Sequence, residues 1–139
     1  MARPSVEQQL ILESRLEEVC PTEEAIISAA RGFGYPESDL FAVKLALEEA
    51  LSNAIKHGNA CDPVNRVEVE FRVDEKSLKI IIGDEGPGFD LDEVPDPRLE
   101  ENLAKPHGRG VMLMRAYMDE VAYNEAGNRL TMVKYRGPK

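Results

Sequence analysis

Histidine and cysteine are nearly absent from this chain, and their scarcity removes whole classes of chemistry. His57 and His107 are the only histidines, too few for a histidine-rich metal site. Cys20 and Cys61 sit far apart and match neither a zinc nor a redox spacing, so reduced thiols in a cytoplasmic protein are the simple expectation. No apolar run approaches the roughly 20 residues of a membrane span. The opening "MARPSVEQQ" lacks the apolar core of a signal peptide. Positive charge is also in short supply: 17 Lys and Arg against 26 Asp and Glu leave a net charge of −9. That balance argues against a nucleic-acid backbone or an anionic membrane as partner, while a local basic patch could still meet a phosphate-bearing small ligand. Neither GxxxxGK(S/T) nor GxGxxG occurs, which excludes a P-loop and a Rossmann fingerprint. Internal repeats and low-complexity tails are missing as well.

What is present reads as one domain over residues 1–139, with 42% apolar and 31% charged residues, a globular balance. "QQLILESRLEEV" (8–19) begins with short alternation and predicts a strand in its first half. "PTEEAIISAARGFG" (21–34) has start and stop signals in helical order. The longer "PESDLFAVKLALEEALSNAIKHG" (36–58) predicts a second helix capped near Ser38 and closed by Gly58. "RVEVEFRV" (66–73) and "SLKIIIGD" (77–84) predict a hairpin, and residues 85–107 hold a long loop of lid type, about 92–107. A helix over 110–121 and a closing hairpin with its turn at Ala126-Gly127-Asn128 complete the chain. This order predicts an α+β two-layer sandwich, with helices packed on one face of a mixed, mostly antiparallel sheet.

Three stretches carry chemistry. In the long helix, Leu40, Val43, Leu47, Leu51 and Ala54 form the core stripe. Asn53 lies about 40° round the helix from Glu49, and Lys56 about 20° on the other side, nearly opposite that stripe. Ala42 and Ala46 flank these polar residues and leave them shallow; a solvated face would give the same pattern. "GDEGPGFD" (83–90) follows a strand, so Asp84 stands at its end while Gly86 and Gly88 permit close approach to a ligand, or simply a tight turn. "HGRG" (107–110) opens a helix, where free N–H groups and Arg109 suit phosphate, or a hinge. Acidic pairs such as Glu23-Glu24 read as solvated faces, and the Met112, Met114 and Met118 group as core.

In this order the three stretches resemble the GHKL (histidine-kinase-like, Bergerat-fold) ATPases: Glu49 and Asn53 match the N box, "DEGPG" (84–88) the G1 box, and "GRG" (108–110) the G2 box. "ALEEALSNAIKHG", "MDEV" and "LTMVKY" narrow the resemblance to the anti-sigma-factor serine kinases of bacterial partner-switching systems, over roughly residues 8–136. The resemblance implies the histidine-kinase-like ATPase fold, with ATP and Mg²⁺ as cofactors. Asn53 would bring its amide oxygen to Mg²⁺ and Glu49 would be the general base. Asp84 would accept from the adenine amino group, helped by Thr131 through a water. Gly86 and Gly88 would wrap the nucleotide, and Gly108 and Gly110 would face its phosphates. Lys56, His57 and Arg109 match positions near the phosphates less closely. The implied partners are a STAS-domain anti-sigma antagonist as phosphorylation target, an alternative sigma factor, and a second copy of the chain. A nucleotide-gated binding module without transfer chemistry is the competing implication.

Overall fold

The computed structural model describes residues 5–58, 65–85, 106–125 and 128–137, with backbone only at 57–58 and 106–111. The elements run in the order β1 (Val6–Glu13), α1 (Val19–Gly32), α2 (Glu37–Asn53), β2 (Arg66–Val73), β3 (Ser77–Gly83), α3 (Pro106–Tyr117), β4 (Glu120–Tyr123) and β5 (Arg129–Tyr135). The strands form one sheet in the order β1-β2-β3-β5-β4. All four ladders are antiparallel, so the parallel component of a mixed sheet is not among them. The α+β two-layer arrangement is as expected.

Alternation makes the layers. Val67, Val69, Phe71 and Val73 of β2 are buried, as are Leu78, Ile80 and Ile82 of β3 and Leu130 and Met132 of β5, while their neighbours in sequence face away from the helices. The helices cover that apolar face with Ile26, Leu47, Leu51 and Met114, all fully buried. Each such side chain is worth roughly 1.5–3 kcal/mol on leaving water.

Helix ends differ from the simplest reading in instructive ways. α1 closes in a Schellman arrangement: Gly34 takes φ 83, its N–H donates to the Arg31 carbonyl, and the Tyr35 N–H reaches back to Ala30. α2 starts on Pro36 rather than Ser38, with the Pro36 carbonyl accepting from both Asp39 and Leu40 N–H groups and no side-chain cap. α3 begins at Pro106, four residues before the expected start, because proline's fixed φ and missing N–H suit a first helical position. It stops at Tyr117, and Val121, expected on that helix, lies in β4 opposite Met132.

Two polar contacts at one end fix the layers relative to each other. Gly137 N–H donates to Asp39 Oδ2 at 2.7 Å, and Tyr35 Oη donates to the Asp74 carbonyl at 3.0 Å. The start of α2 is thereby tied to the end of the sheet where β3 begins. α2 rises about 25 Å over its length and β3 about 23 Å. Both run away from that tether, so the last turn of α2 and the last residue of β3 arrive at the same far edge.

Candidate functional site

That far edge is where the site-bearing residues stand. Glu49 and Asn53 are one turn apart on α2, both half-buried. The buried arc of α2 is wider than the predicted stripe, because α2 packs against both α1 and α3. Ala42 and Ala46 are therefore buried rather than flanking an open shelf, and Asn53 sits at the margin of the arc. Among the described residues neither the Glu49 nor the Asn53 side chain makes a hydrogen bond or ion pair.

Directly after Asn53 the helix widens into a π turn over Ala54–Gly58. Such turns bond i to i+5 and recur at functional sites. The wider turn also carries Lys56 off the 100° spacing on which its place beside Glu49 depended, and its side chain is exposed. His57 lies in the same turn by its backbone; its side chain is outside the described residues.

Asp84 immediately follows β3, and its N–H donates to the Asn128 carbonyl at 2.9 Å, which holds it against the start of β5. The two acids in "DEG" divide their tasks. Glu85 Oε2 accepts from the Arg66 N–H at 2.9 Å and so fastens the start of β2, whereas Asp84, two residues past Ile82, continues the helix-covered row. The side follows from Tyr123, which pairs with Leu130 in the row Ile82–Leu130–Tyr123. Burial first, and the Asp84 carboxylate second, push the Tyr123 hydroxyl up to about 12, with the Arg115 cation pulling the other way. Asp84 after β3 and Arg115 on α3 thus lie within electrostatic reach of Tyr123 on β4. Neither Tyr123 nor Arg115 stands out in sequence; a four-residue strand is too short to display its period, so "EVAY" carries no usable signal.

Thr131 does not join them. It pairs with Ile81 and Ala122, on the face turned away from the helices. Arg129 shares that outer face, with its guanidinium across Gly83 and within 3.6 Å of Glu68 and 3.5 Å of Glu70. The alternation that places Leu130 inside puts Thr131 outside, so a water-bridged role beside Asp84 has no support from the register.

Of the glycine motifs, Gly86, Gly88 and residues 92–105 of the expected lid lie outside the described residues. Gly108, Arg109 and Gly110 are placed by backbone alone, inside α3. Because α3 starts at Pro106, Gly108 falls in the first turn, where N–H groups lack helical partners. The N–H of Gly110 faces the Pro106 carbonyl in the helical ladder. Among the described residues no three His, Cys, Asp or Glu are placed to hold a metal, and no helix is long and apolar enough to cross a membrane.

One acid expected in solvent is buried elsewhere. Glu23 is 3% exposed between α1 and α2, with Oε1 unpartnered. Its carboxyl is pushed up to about 7, chiefly by burial and then by Glu48, against the opposing pull of Lys44. Adjacent acids in sequence suggest a solvated pair; the closeness of the two helices decides otherwise.

Similarity to known proteins agrees with this geometry. Residues 12–134 match the family described as the histidine kinase-like ATPase domain. The serine-protein kinase RsbW of Bacillus subtilis (strain 168) is 33% identical over 113 residues, spanning 76% of this chain and 71% of that protein. Its counterpart in Staphylococcus aureus (strain Newman) is 32% identical over 110 residues, 73% of this chain and 69% of that protein. Among solved structures, the RsbU and RsbW domains of a Mycobacterium tuberculosis protein superpose with a TM-score of 0.67 at 15% identity. That match covers 97% of this chain but 34% of the solved one, and it speaks for the fold.

Proposed function

The chain belongs to the histidine kinase-like ATPase family, and from that membership we propose that it is a serine-protein kinase using ATP and Mg²⁺. The observation that carries the reading is the pair Glu49 and Asn53, half-buried at the end of α2 without partners among the described residues. An amide and a carboxylate left uncommitted at the edge where Asp84 also stands fit a nucleotide with a hard cation.

Each residue has a task in this reading. Asn53 offers its amide oxygen to Mg²⁺, which takes oxygen ligands and, when bound, neutralises charge on the phosphates. Asp84 accepts from the exocyclic amine of the base. Glu49 takes the proton of the target serine hydroxyl as its oxygen attacks the γ-phosphorus, and the bond to the β,γ-bridging oxygen breaks to release ADP. By their match to the family motifs, Gly86, Gly88 and Gly108 would supply close backbone approach to the nucleotide. The work is mainly positioning and charge neutralisation, as in phosphoryl transfer generally.

The target we assign is a serine on a STAS-domain anti-sigma antagonist, with an alternative sigma factor as the second partner. A homodimer through β1 belongs to the same reading: β1 ends the sheet and exposes Val6 and Ile11. The test mixes the protein with labelled ATP, Mg²⁺ and a STAS-domain protein of the same genome, beside Glu49→Gln and Asn53→Ala. Label is expected on a partner serine, with Asn53→Ala losing nucleotide and Glu49→Gln binding it but transferring slowly. Tight ATP binding without label on any partner would make the chain a nucleotide-gated module, which needs Asn53 but not Glu49.

A further inference from the structure

Tyr123 is the residue that the roles above leave unused and the fold sets beside them. Its row neighbours Ile82 and Leu130 are 3% and 4% exposed, and both are aliphatic, as a row packed under helices should be. Tyr123, at the end of the same row, is half-buried and carries a hydroxyl. Its ring packs against the edge of the core, and its hydroxyl makes it the one member of that row with a polar group. The surroundings explain it: the start of β5 is flanked by Asp84 on the β3 side and by Tyr123 on the β4 side, with Asp84 held in place through the Asn128 carbonyl. The phenol is neutral across the physiological range, as any tyrosine is, and burial followed by the Asp84 carboxylate raises it further. A neutral aromatic ring with one polar edge, facing a carboxylate across an apolar strand, has the character of a purine-binding wall: the carboxylate reads an amine and the ring offers contact area.

We propose that Tyr123 is a specificity residue of the nucleotide site, its ring forming the wall of the base subsite opposite Asp84 at the start of β5. The inference rests on the reading of Asp84 as the base-recognising carboxylate. It goes further in assigning a second, aromatic determinant to β4, a strand that carries none of the three motifs.

The experiment measures binding of ATP, GTP and inorganic tripolyphosphate, each with Mg²⁺, to the full chain and to Tyr123→Leu, Tyr123→Phe and Asp84→Asn. Thermal melts check that each variant folds. Tyr123→Leu is expected to weaken ATP by about tenfold or more, the scale of losing one aromatic contact to a base. The same variant should narrow the preference for ATP over GTP and leave tripolyphosphate binding unchanged, because the phosphates do not touch this wall. Tyr123→Phe keeps the ring and should stay within about threefold of wild type. Unchanged ATP binding in Tyr123→Leu, with a loss in Asp84→Asn, overturns the assignment of Tyr123 while leaving the reading of Asp84 intact. Equal losses of ATP and tripolyphosphate in Tyr123→Leu also overturn it, since they mark a general structural effect. If Asp84→Asn binds ATP as wild type does, the base-site reading fails and this inference with it.

Discussion

The two ends of the domain differ in what they leave open, although polar contacts fasten strands at both. At the end where β3 begins, everything is fastened: Asp74 Oδ1 accepts from the N–H groups of Lys76 and Ser77, Tyr35 donates to the Asp74 carbonyl, and Arg136 donates to the Phe33 carbonyl. The backbone bonds to Asp74 hold its carboxyl below the usual carboxylate range, and burial, followed by Asp74, raises the Tyr35 phenol. At the far end, Glu49 and Asn53 are half-buried and uncommitted among the described residues, and α2 widens into a π turn beside them. A stable domain can leave two side chains uncommitted among the described residues at one end when the rest is fastened, and uncommitted groups are what a ligand can use. Breaking groups at the closed end should therefore cost stability, and breaking groups at the open end should cost function.

The largest contrast is expected from Glu49→Gln. Removing a general base slows transfer by about 10²- to 10⁴-fold. Nucleotide affinity and melting temperature should hardly move, because Glu49 supports no described contact. Rapid-quench transfer assays at saturating ATP, with a parallel melt, measure both. A collapse in stability would place Glu49 among the structural residues and erase the distinction between the ends.

Next in size is a pH effect from Glu23, which belongs to neither end. Its folded pKa of about 7 lies above the ordinary value of 4.5, so the native state holds a proton that the unfolded chain releases. The associated stability is fully present below about pH 4.5 and is lost as pH rises through 7. Each tenfold difference in proton affinity between the two states is worth about 1.4 kcal/mol, so the loss across this window is on the order of 3 kcal/mol. Urea unfolding at pH 5 and pH 8 should show wild type losing stability at the higher pH, with the difference reduced in Glu23→Gln. An unaltered pH profile in that variant would mean Glu23 is ionised in the fold.

Tyr35→Phe tests the closed end directly. It removes one hydrogen bond, to the Asp74 carbonyl, and keeps the ring. The expected cost is about 1 kcal/mol in denaturant unfolding with ATP affinity unchanged. Weaker ATP binding without a stability loss would show that the ends are coupled.

Sequence makes the local elements legible and leaves their mutual placement hidden. β2 occupies the predicted 66–73, since its alternation is complete and flanked by turn residues. α1 and α2 announce themselves through Gly34 and through the spacing of Leu40, Val43, Leu47 and Leu51. The N-box pair is readable because a helix fixes i and i+4 without help from tertiary structure. Glu23 is illegible because its burial comes from a second helix, and Lys56 because a π turn leaves no period to detect. Tyr123 and Thr131 need the register: which face a strand residue takes depends on pairing, and a slip by one residue reverses it.

Thr131 gives the smallest expected effect and the sharpest use of that register. Beside Asp84 it would contribute a hydroxyl to nucleotide binding, and Thr131→Val would weaken ATP severalfold. On the outer face, beside Ile81 and Ala122, it borders the solvent-side ladder of Arg129 with Glu68 and Glu70. The isosteric valine should then leave ATP affinity unchanged and alter stability by less than about 0.5 kcal/mol, as surface substitutions usually do. Titration of ATP into the two proteins decides between these outcomes. A clear loss in Thr131→Val would mean that the outer face also reaches the nucleotide, and that the open end of the domain extends round the edge of the sheet.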